Sequence, residues 1–150
     1  MEKTCAFTGH RKLNEWGFDY ALLDRVVLNL LKTGTTNFLC GMALGFDTVA
    51  AESVLSLKGD YGAKLTACLP CADQYGRFSE SNKKKYFEIL DRCDEVITLA
   101  PAYFSGCMHA RDRYMVENSD LIVSFLRKQS GGTFYTVNYA RKLGKKIIEL

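Results

Sequence analysis

Asn37–Glu52 reads NFLCGMALGFDTVAAE, and the fold turns on how this stretch is parsed. The apolar run Phe38-Leu39-Cys40 stops at Gly41. Gly45 follows, and after Asp47 a helical pattern begins with Val49, Ala50, Val54 and Leu57. This succession predicts a strand, a tight glycine turn and a helix N-terminus. Glycine lets the backbone approach a bound group closely, and the first turn of a helix carries unpaired N–H groups and a partial positive charge. Such a turn can seat a phosphate, and it can equally be a plain connection between strand and helix.

Outward from this stretch the same alternation repeats. Thr4–Thr8 predicts a first strand, and Trp16–Leu31 a helix carrying leucine and valine at four-residue spacing. Lys64–Leu69 predicts a third strand, and Ser81–Asp91 a helix with Phe87 and Leu90 inward. Glu95–Leu99 and Leu121–Leu126 predict strands on either side of a helix near Met108–Asn118. A helix running to Lys142 and a last strand at Lys145–Leu150 close the chain. Near-continuous apolar strands between helices imply a parallel sheet covered on both faces. The fold class expected is α/β, a three-layer Rossmann-like doubly wound sheet of about six mostly parallel strands, in the order 3-2-1-4-5-6. No linker or repeat interrupts it, so residues 1–150 are expected to form a single domain.

Composition narrows the class. The chain has 150 residues, 47% hydrophobic and 25% charged, long enough to bury a core without a metal or disulfide. Its net charge of +3 suits anionic ligands but falls short of a nucleic-acid signature. No run approaches the roughly 20 apolar residues of a membrane span, and no signal-peptide core is evident. The six cysteines are therefore expected to be reduced thiols in the cytoplasm.

Three predicted strand ends carry glycine and small polar residues: Thr8-Gly9-His10-Arg11, Gly41 through Asp47, and Ser130-Gly131-Gly132-Thr133. In a doubly wound sheet all three lie on the carboxyl edge, where ligands bind. One such turn says little. Three on one edge argue for a ligand bearing phosphate or ribose.

These residues also carry a resemblance. Gly41 through Asp47 with Ala50 resembles the G-x-A-x-G-[apolar]-D-x-x-A signature of the DprA/Smf proteins. Met108-His109-Ala110-Arg111, followed by Gly131-Gly132 and Thr136, resembles the M-H-x-R and G-G-x-G-T-x-x-E pair of the Lonely-guy (LOG) phosphoribohydrolases. Both groups belong to the SLOG superfamily of Rossmann-like nucleotide-binding proteins. The opening Thr8-Gly9-His10-Arg11, Pro70 with Gln74, and Val116 through Asp120 make the YpsA-like branch the nearest match. The resemblance implies a nucleotide or phosphate as occupant, with no separate cofactor. It departs from the hydrolases at one decisive place. The position of their catalytic glutamate falls on Tyr139, preceded by Asn138, and neither is a general base at neutral pH.

The site residues expected are Gly9, His10, Arg11, Gly41, Gly45, Asp47, Arg111, Gly131, Gly132 and Thr133. Arg111 could fork onto a phosphate or pair with Asp112 or Glu117. His10 and Arg11 could contact a base or phosphate, or simply form a turn into a helix. Asp47 could bind a ribose hydroxyl, or serve the helix dipole. Cys68-Leu69-Pro70-Cys71 could signal redox chemistry or half a zinc site, but no second ligand pair accompanies it and no metal is expected. The reading that follows is a binding protein for a nucleoside phosphate or an ADP-ribose- or NAD-like molecule, acting as a sensor or regulator. One alternative is a nucleotide-processing hydrolase with Asp47, Asp112 or Glu117 as its acid. The other is DprA-like single-strand DNA binding, disfavoured because the basic residues form no long stripe. A homo-oligomer is compatible with the sequence, and a membrane partner is not expected.

Overall fold

In a computed structural model describing residues 2–150, the predicted strands hydrogen-bond into one sheet. The strands β1 (Lys3–Gly9), β2 (Thr35–Cys40), β3 (Lys64–Leu69), β4 (Glu95–Thr98), β5 (Leu121–Phe125) and β6 (Lys146–Glu149) alternate with helices. The helices are α1 (Tyr20–Lys32), α2 (Phe46–Leu57), α3 (Glu80–Arg92), α4 (Cys107–Glu117) and α5 (Gly132–Lys142). Every neighbouring pair of strands is parallel. β1, β2, β3 and β5 are largely buried, whereas at the two margins β4 is mostly exposed and β6 is half-buried at its centre.

The strand order is β4-β3-β2-β1-β5-β6, not the expected 3-2-1-4-5-6. β4 adds outside β3, and β5 takes the place beside β1. Apolar periodicity sets the number and direction of the strands but not where the chain turns back. Here three crossovers run outward before α4 carries the chain back across the sheet. Because parallel crossovers are right-handed, the reversal puts α4 and α5 on the face opposite α1, α2 and α3. The larger core lies under α1–α3, around Phe7, Phe38, Phe46 and Phe125. A smaller one, including Met115, Val116, Ile122 and Ala140, lies under α4 and α5. The switch of direction between β1 and β5 opens a crevice beyond their carboxyl ends.

Two local expectations are corrected. Trp16 does not start α1: it ends a short 3-10 turn, Asn14–Trp16, and Gly17 at φ 63° then redirects the chain. α1 begins after Asp19, whose carboxylate accepts a hydrogen bond from the Leu22 N–H at 3.1 Å. In α3 the buried residues are Tyr86 and Ile89, and Leu90 is half-buried against the main core as expected, while Phe87 is 44% exposed. The Tyr86 hydroxyl donates to Gln74 Oε1 at 3.0 Å, and Gln74 Nε2 donates to the Gly41 carbonyl at 3.0 Å. The inward turn thus gives a buried phenol its partner.

Candidate functional site

A cleft of roughly 520 Å³ opens at the β1/β5 reversal. The end of β1 contributes Gly9, His10 and Arg11, and the Asn14–Trp16 turn contributes Glu15 and Trp16. α2 supplies Asp47, α4 supplies Met108, Arg111 and Asp112, and the β5–α5 loop supplies Lys128 and Ser130 through Thr133. Eight of the ten expected site residues therefore converge on one cleft. Gly41 and Gly45 are not among its lining residues.

The glycines divide into two kinds. A methyl group at Gly9 would lie 2.3 Å from the Phe46 ring, and one at Gly41 would lie 2.7 Å from the Arg111 guanidinium. One at Gly45, whose φ is +81°, would lie 2.1 Å from the Arg11 carbonyl oxygen. These three let chain segments touch one another, and the Phe46 N–H donates to the His10 carbonyl at 3.1 Å across that contact. Gly132 is different, with no atom within 4 Å of where its side chain would be. It opens α5, and the residue before it, Gly131 at φ 91°, supplies no side-chain cap. The first-turn N–H groups of α5 are thus left without a capping side chain beside open space, an arrangement that attracts anions. Arg11 and Lys128 line the same cleft and make no ion pair among the described residues.

Arg111 is committed to the protein. It is 5% exposed, donates to the Gly41 carbonyl, and pairs through Nε with Asp112 at 2.8 Å. It pins the β2 turn to α4 and lends the cleft a buried positive charge. Asp47 faces that charge across α2's first turn, and its Oδ2 accepts a hydrogen bond from the Ala43 N–H at 3.1 Å. Burial pushes the Asp47 carboxyl up from its ordinary 3.8 to about 6, even though Arg111 pulls the other way. Asp47 is therefore an acid of this cleft whose protonation changes at about pH 6.

His10 is buried, and its Nε2 accepts a hydrogen bond from the Arg127 N–H at 2.7 Å. That bond assigns the proton of the neutral ring to Nδ1. Burial, reinforced by Lys128 and Arg127, holds its pKa below the ordinary histidine value. His109 of the M-H-x-R motif is exposed, lies against Tyr135 with ring centroids 4.2 Å apart, and is absent from the lining.

The hydrolase-like residues lie elsewhere. The Tyr139 hydroxyl hydrogen-bonds to Glu117, and neither residue lines the cleft. Of the three candidate acids, Asp47 and Asp112 line it and Glu117 does not. Thr136 bonds back to the Gly132 carbonyl at 2.8 Å, and Thr133 is the threonine that lines the cleft. The pair Cys68 and Cys71 is buried, which pushes the thiols up to about 12 and about 11, far from the thiolate that redox chemistry needs. Among the described residues no His, Cys, Asp and Glu cluster is placed to hold a metal, and no helix is long and apolar enough to cross a membrane.

The model of the YspA SLOG family matches residues 18–147, nearly the whole chain. The protein belongs to that family. A UPF0398 protein of Halalkalibacterium halodurans is 30% identical to this SLOG chain over 123 residues, covering 79% of it and 65% of the relative. The chain thus spans just under two thirds of the length of such relatives. The SPbeta prophage-derived protein YoqJ of Bacillus subtilis is 29% identical over 136 residues, covering 81% of this chain and 80% of YoqJ. Among solved structures, DNA processing protein A (DprA) of Streptococcus pneumoniae superposes with a TM-score of 0.71 at 19% identity, covering 98% of this chain and 50% of that one. DprA of Helicobacter pylori, a single-stranded DNA binder, gives 0.71 at 20% identity, covering 98% and 64%. The molybdenum cofactor carrier protein of Chlamydomonas reinhardtii gives 0.62 at 15% identity, covering 99% and 76%. At these identities the structural likeness is one of fold, shared by the SLOG chain and proteins with different cargoes.

Trp16, Lys12 and Lys128 are lining residues that the motifs do not announce. Trp16 is hidden because the first helix predicted from the sequence starts at it. The signal that could have separated it is Gly17, a helix breaker directly after it.

Proposed function

We propose that this SLOG protein binds a nucleotide or nucleotide derivative in the β1/β5 cleft, with the phosphate at the N-terminus of α5, and that it works as a sensor or regulator. The observation that carries this reading is the first turn of α5, without a side-chain cap and beside open space at Gly132, in a cleft also lined by Arg11 and Lys128, which make no ion pair among the described residues. Backbone N–H donors, a helix dipole and two cations together suit a phosphate better than any neutral group. The cleft volume is in the range of small-molecule sites, about 300–1,000 Å³. The absence of a general base at the hydrolase position supports binding over cleavage. Six unpaired cysteines are consistent with work in a reducing compartment such as the cytoplasm.

A thermal-shift panel of AMP, ADP, ADP-ribose, NAD and a single-stranded oligonucleotide tests it. A ligand held at a hundred times its Kd adds about 2.7 kcal/mol to the folded state and raises the melting temperature. Gly132→Leu should fold normally, since nothing stands where the side chain would go, and should lose the shift. Stabilisation that survives Gly132→Leu would place the ligand elsewhere.

A hydrolase reading retains one specific support. Asp47, protonated up to about pH 6, lines the cleft and could act as a general acid there. Release of free base from a nucleoside monophosphate, lost on Asp47→Asn, is the result that would favour it.

A further inference from the structure

Trp16 is the only tryptophan in the chain. It lines the cleft and remains 36% exposed. Tryptophan carries the largest apolar surface of any side chain and is highly buried on average. A half-open indole at the mouth of a cleft therefore asks for an occupant.

Its position is braced from both ends of the turn. Leu13, just before the turn, is buried in the main core, and Gly17, just after it, adopts a left-handed conformation. Phe18 then enters an aromatic cluster with Phe46 and Phe125, at centroid distances of 5.8 and 4.8 Å. The indole itself lies against His10, centroids 5.9 Å apart and planes 39° from parallel. His10 is in turn edge-on to Phe125 and fixed by the Arg127 N–H. A platform held this firmly loses little side-chain freedom when a flat ligand settles on it.

The cleft thus joins two chemistries: a cationic, donor-rich seat at Arg11, Lys128 and the start of α5, and an aromatic surface at Trp16. A free phosphate or a sugar phosphate satisfies only the first. We infer that Trp16 stacks on the base of a nucleoside phosphate whose phosphate sits at α5, making it the residue that selects nucleotides over simple phosphates. This inference rests on the binding reading above. Base–aromatic stacking is sequence-tolerant because every base has a π-face, and losing it costs about five- to 140-fold in affinity.

Because Trp16 is the sole indole, its fluorescence reports the contact directly. AMP and ribose 5-phosphate are titrated into the full chain while emission is followed, and binding of each is measured separately by calorimetry. Both should bind, but only AMP should quench the indole. Trp16→Leu should weaken AMP about ten-fold or more and leave ribose 5-phosphate unchanged, and Trp16→Phe should restore most of the loss. AMP binding that neither quenches the emission nor responds to Trp16→Leu overturns the stacking role while leaving the binding reading intact. Failure of both ligands to bind the wild-type protein overturns the stacking inference, and only a null result for ADP, ADP-ribose and NAD as well overturns the binding reading with it.

Discussion

Replacing Asp47 with asparagine isolates the balance of charges beneath the cleft. The carboxylate is buried between the Ala43 N–H and the Arg111–Asp112 pair, and desolvation outweighs the pull of Arg111. Its pKa rises from 3.8 to about 6 on folding. A group raised in this way binds its proton more tightly when folded. The stability it contributes is fully present below the unfolded value near 3.8, and is lost as pH rises through about 6. At about 1.4 kcal/mol per pH unit, an ionised Asp47 costs the folded state about 3 kcal/mol at pH 8 relative to its neutral form. Asparagine has the same shape and can still accept from Ala43, but it never ionises. Asp47→Asn should therefore gain on the wild type as pH rises, the difference widening by about 2.5 kcal/mol between pH 4 and pH 7.5. Urea unfolding of both proteins across that range measures it, because groups common to the two cancel in the difference. A difference that stays flat would show that the carboxyl titrates normally. A variant that loses ground as pH rises would show that Arg111 holds Asp47 ionised, and the reasoning from burial would be refuted.

Arg111→Ala should destabilise the fold by about 3–5 kcal/mol, since it leaves the carboxylates of Asp112 and Asp47 uncompensated and the Gly41 carbonyl with Gln74 as its one side-chain donor; a loss confined to ligand affinity would contradict this. Gly9→Ala should cost about 1–3 kcal/mol in chemical denaturation through its collision with the Phe46 ring, with the melting temperature falling accordingly. Incubation with nucleoside monophosphates, followed by chromatography, should yield no free base above a protein-free control, because Tyr139 and its partner Glu117 lie away from the cleft.

Much of this molecule was legible along the chain. Alternating apolar strands and amphipathic helices determine a parallel, two-faced sheet, and the bounds of β3 and α5 follow directly from Pro70, Gly131 and Gly144. The convergence of the turns after β1 and β5 also follows, because parallel strands necessarily send their carboxyl ends to one edge. The residues alone could not say what each glycine is for. A glycine that admits a ligand and one that admits a phenylalanine ring look identical in sequence. Only the packing of Phe46 on Gly9, Arg111 on Gly41 and Arg11 on Gly45 separates those three from the open Gly132. The strand order was equally out of reach, since periodicity carries no information about which strand the chain revisits. For Arg111 the pairing with its neighbour Asp112 was among the readings the sequence offered, but the contact with the Gly41 carbonyl, 70 residues away in the chain, was not. Local spacing determines what each segment becomes, and long-range contact decides which of its groups remain free to meet a ligand.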